Sequence, residues 1–450
     1  MSAKAARARK PAKKPARSKR PKRRARPVPA EYNILLTATL CLLALGAVMV
    51  FSASSTTRIL QDGGLSDSAF YLKRTLLFGG VGLVIMYLAS RHGLRVIRQL
   101  TPLLLAGSIF LLMAVLVAGT EVNGATRWLG GGFLQIQPSE LAKVALILYG
   151  ADLLARKPKR VRSLEGIMPL LLVVGASSLL IMLQPDMGTT MVIAFSVGAM
   201  LIAAGARPAD LGKIALVIVG LALLMAVVEP YRMARLTSFL NPAADASGAG
   251  FQAAQAKIAL GSGGITGEGL GNGIQKAFYL PEAHTDMISA VIGEELGLAG
   301  ITAVVGLFAM FGYAGLKTAQ KAKDAYGKIL VAGLTSLVLV QVTINLFAVM
   351  GMAPLTGVPL PFVSYGNSSL MATLLGVGLI LNVARGGTAQ AARTATPTRA
   401  GKLRVVDGGR SPARERSRTS GARKAKSGNG GGGNRGARGA RHGGRRRASG

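Results

Sequence analysis

Residues 287–316 read MISAVIGEELGLAGITAVVGLFAMFGYAGL. The run is apolar almost throughout. As a helix rising 1.5 Å per residue it is long enough to cross the ~30 Å hydrocarbon core of a bilayer. Two adjacent carboxylates, Glu294 and Glu295, interrupt it about two turns in. Ionised groups at that depth are costly, so they require partners from neighbouring helices, and a basic group is the expected one.

Similar runs recur on both sides. Expected spans are 33–53, 75–90, 100–118, 139–154, 167–184, 188–205, 211–229, 287–316, 327–350 and 362–384. They predict an all-α integral membrane protein, a bundle of about ten transmembrane helices with one long extracytoplasmic loop (about 230–286) and disordered basic tails. A long ordered loop in a compact protein is usually functional. No internal repeat is evident.

The charge of +35 belongs mostly to the ends. Residues 1–30 carry 13 Lys/Arg and no acid, and residues 385–450 carry 18 Lys/Arg and two acids. The division expected is a tail over 1–32, a membrane domain over 33–384 and a second tail over 385–450. Loops holding Arg91 to Arg98, Arg156 to Arg162, Arg207 with Lys213, and Lys317 to Lys328 total 14 basic residues, against six in the longer alternate loops. Basic loops stay inside, so both termini are expected to be cytoplasmic. The Arg/Gly-rich C-terminal tail suits anionic lipid headgroups, and no specific nucleic acid is expected. One cysteine, Cys41, and three scattered histidines exclude an internal disulfide and a Cys/His metal centre.

Polar residues at span ends carry the chemical content. Glu140 and Lys143 share a helix face at the start of the fourth span. They form a neutralising pair, one wall of a polar cavity, or both. Asp186 follows Gln184-Pro185 and suits a helix N-cap. Arg127-Trp128 fits the membrane interface, and its guanidinium also suits a phosphate. The glycine run 261–273 matches no nucleotide fingerprint and reads as a turn with close backbone packing, with a phosphate cradle the alternative. Asp286 closes Leu280-Pro281-Glu282-Ala283-His284-Thr285-Asp286 at the water–membrane boundary. A carboxylate there serves equally as an N-cap or as a general base whose pKa is raised by partial burial.

These segments in this order resemble the SEDS (shape, elongation, division, sporulation) membrane glycosyltransferases. The matching residues are Asn123 to Trp128; Gln137-Pro138-Ser139-Glu140 with Lys143; Gln184-Pro185-Asp186; Tyr231-Arg232 with Arg235; Gln252 and Gln255; Gln275-Lys276; Leu280 to Asp286 continuing to Gly293-Glu294-Glu295; Asn345; and Thr356 to Gly366. The wording of 281–286 and the long basic N-terminus are most similar to the FtsW-type division branch. Gly273 departs from the pattern, standing where serine is common.

The resemblance implies polymerisation of lipid II into glycan at the outer face of the bacterial inner membrane, at the division septum. Asp286 would be the general base, activating a sugar 4-hydroxyl for attack on a lipid-linked anomeric carbon. Arg127, Trp128, Gln137, Glu140, Lys143, Asp186, Arg235, Lys276, Glu282 and His284 are the expected substrate-binding residues. Arg127, Arg235, Lys276 or a divalent cation (Mg or Mn) would hold the leaving pyrophosphate. Expected partners are a class B penicillin-binding protein and other divisome membrane proteins. A lipid II flippase and a non-enzymatic division scaffold stand as the alternatives.

Overall fold

The computed structural model describes residues 29–61, 69–122, 125–131, 135–228 and 248–388, with 233, 237–239 and 241 between them. The basic tails, apart from 29–32 and 385–388, and Arg235 lie outside the described residues.

Ten helices of 18 residues or more run in the order α1 Ala30–Gln61, α2 Phe70–Arg91, α3 Leu94–Ala118, α4 Pro138–Arg156, α5 Leu164–Met182, α6 Met187–Ala204, α7 Pro208–Val228, then α10 Ile288–Gln320, α11 Ala325–Val349 and α12 Asn367–Ala384. Two shorter helices, α8 Ala249–Ser262 and α9 Gln275–Phe278, lie before α10. Among the described residues, eight of the ten are long and apolar enough to span a bilayer by length and composition. Of the other two, α4 carries Glu140, Lys143, Asp152 and Arg156, charges that suit a helix enclosed by protein rather than lipid. Its neighbours supply that enclosure: α3, α6, α11 and α12 all pack against it. Leu103, Val117 and Phe110 on α3 stay exposed, as apolar side chains facing lipid would.

A two-stranded antiparallel hairpin, β1 Thr120–Val122 and β2 Ala125–Trp128, follows α3, with Glu121 opposite Thr126. Alternation over three or four residues is too short to be read from sequence.

The helix of the opening stretch is broken. Gly297 has φ 63° and ψ −161°, which no other residue type adopts comfortably. The break frees backbone groups, and the glycine run takes them up. Glu268 and Gly269 donate their N–H groups to the Glu294 and Glu295 carbonyls, each at 3.0 Å, while Leu298 and Ala299 donate to Gly264 and Ile265 at 2.9 and 3.1 Å. The approach is backbone to backbone: a β-carbon on Gly267 would stand 2.2 Å from the Glu295 carbonyl oxygen. The glycines therefore seal a discontinuous helix, which is the close packing anticipated for them. Gly267→Ala is expected to cost at least about 2 kcal/mol, from a strained positive φ plus lost hydrogen bonds. Thermal unfolding in detergent measures it, and an unchanged Tm would refute the seal.

Gly273 has a different neighbour. Glu294 Oε1 accepts the Ile274 and Gln275 N–H groups at 2.7 and 3.0 Å. Its Oε2 is buried with no hydrogen-bond partner among the described residues. A β-carbon on Gly273 would lie 2.8 Å from that oxygen. Gly273→Ser brings the missing donor along with a β-carbon inside van der Waals contact, so it is expected to be more stable than Gly273→Ala by about 1 kcal/mol. Gly273→Ala adds the same carbon without a donor and should show no gain, so equal melting of the two variants would remove the explanation.

At the end of the bundle opposite Asp286, Asp152 pairs with Arg98 and Arg156, both at 2.5 Å. Glu31 pairs with Lys321 there. The Arg385 guanidinium lies over the Tyr32 ring, 4.4 Å from its centroid, joining the start of α1 to the end of α12.

Candidate active site

The segment 280–287 turns tightly before α10. Glu282 adopts φ 56°, and the Thr285 N–H closes on the Glu282 carbonyl at 3.0 Å. Gln252 on α8 donates to the Pro281 carbonyl at 3.3 Å. The Thr285 hydroxyl lies 3.0 Å from Glu282 Oε2 and 3.2 Å from Asp286 Oδ1, within reach of either carboxylate. Asp286 thus stands at the mouth of α10, with its carboxylate among polar groups of its own turn.

Two parts of the chain distant in sequence pin this turn. The Tyr365 N–H donates to the His284 carbonyl at 2.9 Å. The His284 ring packs against Tyr71 on α2 with centroids 4.4 Å apart, and Tyr71 meets Tyr365 edge-on at 4.8 Å. On the other side runs the Thr356–Val358 segment. Gly357, at φ 70°, has no β-carbon; one placed there would sit 3.8 Å from Asp286 Oδ2. Thr356 in turn packs on α6, where a β-carbon on Gly188 would meet the Thr356 carbonyl at 2.5 Å.

Asp186 is the N-cap of α6, accepting the Thr189 N–H at 3.1 Å and the Thr189 hydroxyl at 2.8 Å. Arg127 reaches the turn before it, donating Nε to the Gln184 carbonyl at 3.2 Å and a terminal nitrogen to the Pro185 carbonyl. These two bonds tie β2 to the turn that precedes α6. Trp128 follows on β2, half-buried.

Gln137 enters through its backbone. Its N–H donates to the Ser368 hydroxyl at 3.1 Å, joining the start of α4 to the start of α12. One turn deeper, Lys143 and Glu140 form a buried pair at 2.8 Å. With Gln341 and Thr373 they line a cavity of about 10 Å³. The Gln341 Nε2 has no hydrogen-bond partner among the described residues. The pair therefore neutralises itself, beside a small cavity whose other walls are mostly apolar, among them Leu334, Leu337, Val377 and Ile380.

Lys276 belongs to another cluster. Its ammonium meets Glu295 Oε1 at 2.5 Å and Ser52 Oγ of α1 at 3.0 Å. The basic partner anticipated for the Glu294–Glu295 pair is thus Lys276, and it serves Glu295.

So Asp286, Glu282 and His284 share one turn, while Asp186 caps the helix whose Gly188 meets Thr356, and Gln137 is tied to Ser368, three residues after Tyr365. Arg127 braces the turn before α6, and Lys276 is engaged beneath. Sequence reasoning missed Tyr71 and Arg74, because the second span was started at residue 75. Arg74 is buried, three residues from Tyr71 on the same helix face. Among the described residues no three His, Cys, Asp or Glu side chains gather to hold a metal ion.

A family described as cell cycle protein, FtsW/RodA/SpoVE, matches residues 33–388. Stage V sporulation protein E of Bacillus subtilis is 42% identical over 357 residues, spanning 78% of this chain and 96% of the relative. The probable peptidoglycan glycosyltransferase FtsW of Trichlorobacter lovleyi is 39% identical over 361 residues, 79% of this chain and 94% of its own. Among solved structures, a chain from a study of polymerization and crosslinking by a peptidoglycan synthase complex superposes with TM-score 0.65 at 29% identity, covering 79% of this chain and 98% of that one. The rod shape determining protein RodA of Thermus thermophilus superposes with TM-score 0.59 at 28% identity, covering 79% and 97%.

Proposed function

We propose, from the premise that the chain belongs to the FtsW/RodA/SpoVE family of cell cycle proteins, that it is a peptidoglycan glycosyltransferase polymerising lipid II with Asp286 as general base. The observation that carries this is the convergence of the family segments on one carboxylate. Asp286 stands where a loop meets a span, so a sugar in water and a lipid tail in the bilayer can both reach it. Its carboxylate takes the proton of the attacking 4-hydroxyl while the new glycosidic bond forms and the undecaprenyl pyrophosphate leaves.

The leaving group needs positive charge. Arg127 spends its guanidinium on carbonyls, and Lys276 is neutralised by Glu295. Arg74, on the Tyr71 face of α2, joins them as a candidate. A divalent cation (Mg or Mn) would be a further source of that charge, arriving on the pyrophosphate oxygens. A class B penicillin-binding protein is the proposed partner and the septum the proposed place; a similar chain comes from a peptidoglycan synthase complex. The site faces outward in this reading, with both termini cytoplasmic.

A flippase would favour discontinuous helices whose free ends line a central path. Here the break in α10, at Gly297, is closed by the glycine loop. The test is direct: purified protein with its cross-linking partner should convert lipid II into glycan polymer. Movement of labelled lipid II across proteoliposomes without elongation would favour the flippase instead.

A further inference from the structure

Asn345 sits on α11, 2% exposed. Its Nδ2 lies 2.7 Å from the Asp286 carbonyl oxygen and 2.8 Å from that of Val358. The Ser289 hydroxyl donates to its Oδ1 at 2.9 Å. The amide can face only one way. Two carbonyls accept and cannot donate, so the nitrogen must point at them and the oxygen at the serine.

We propose that Asn345 is a positioning residue for the glycosyl transfer, a clamp that fixes the Asp286 carboxylate against the Thr356–Val358 segment; this rests on Asp286 being the general base. The peptide after Asp286 needs such an external hold. The Ala290 N–H closes on the Met287 carbonyl at 2.9 Å, so the α10 ladder begins one residue beyond Asp286. One amide group therefore ties the backbone carrying the base to the backbone carrying Gly357, whose bare α-carbon leaves room beside Asp286 Oδ2. The donation to Val358 is buried and that to Asp286 partly so, where hydrogen bonds are stronger and better at fixing geometry than in water. Ser289 lies three residues after Asp286, so the lock on the amide comes from the helix that the base introduces.

Loss of the clamp should misplace the base without removing it. Misplacement by about 1 Å costs on the order of 100-fold in rate. Asn345→Ala is therefore expected to lower kcat about 100-fold while the KM for lipid II changes less than about threefold. Asn345→Asp has the same shape but turns an oxygen toward two carbonyls. It should be at least as damaging as alanine, whereas a merely space-filling asparagine would tolerate it. Asn345→Asp with wild-type kcat overturns the proposal. Ser289→Ala keeps both donations and frees only the orientation, so a several-fold fall in kcat at constant KM is expected. Should the Asn345 variants fail to fold, wild-type kcat in Ser289→Ala overturns the proposal on its own.

If the wild-type protein makes no polymer, the functional reading fails and the clamp is read separately. Hydrogen exchange of the amides in 282–287 should quicken in Asn345→Ala, and unchanged exchange overturns the clamp.

Discussion

Asp286→Ala is expected to abolish glycan polymerisation while leaving the protein folded. Loss of a positioned general base typically costs 10²- to 10⁴-fold in rate, enough to remove polymer from a gel-based lipid II assay. Folding should survive because alanine keeps the backbone carbonyl that accepts from Asn345. Asp286→Asn sharpens the test. It preserves volume and the reach of Thr285 to an oxygen, but it has no carboxylate to take a proton. Both variants should melt close to wild type and both should be inactive. Polymerisation within about tenfold of wild type in either would sink the assignment of Asp286 as base.

The apolar runs made the spans legible, because a bilayer imposes length and composition on each helix independently. Boundaries slipped where polar residues sit at the ends. The second span begins at Phe70, and reading it from residue 75 hid Tyr71, which packs against His284. The hairpin at 120–128 gave no periodic signal of useful length. Side-chain partners were the least legible part. Nothing local ties Ser52 to Glu295, 243 residues away, or Arg127 to the carbonyls at 184 and 185. Chemistry-bearing residues were recognisable as types, since an ion inside a span demands a partner. Whether that partner is a ligand or another side chain depends on packing. Asp186 illustrates it: Asp after Gln-Pro suggested an N-cap, and the cap is formed, yet the helix it starts packs on the segment beside Asp286.

Lys276 poses the sharpest case of that ambiguity, since it is expected both to bind substrate and to neutralise a buried acid. The Lys276 side chain is 1% exposed and the Glu295 side chain 0%. Removing one partner leaves an uncompensated charge in a low-dielectric interior, which typically costs about 3–5 kcal/mol. Lys276→Met is therefore expected to destabilise by about that much, because Glu295 would keep only Ser52, whose hydroxyl lies 2.7 Å from its oxygens. Replacing both, as Lys276→Met with Glu295→Leu, removes the stranded charge. Apolar substitution of a whole buried pair is often close to neutral, so the double variant should recover most of the lost stability. Activity then separates the two roles. If the ammonium serves only to match Glu295, the double variant regains polymerisation along with its Tm. If Lys276 also holds the leaving pyrophosphate, Tm returns while kcat stays low, because the positive charge that favours departure is gone. A single variant as stable as wild type would show that Glu295 is satisfied without Lys276, and the buried pair could then not be what seats α9 against α1 and α10.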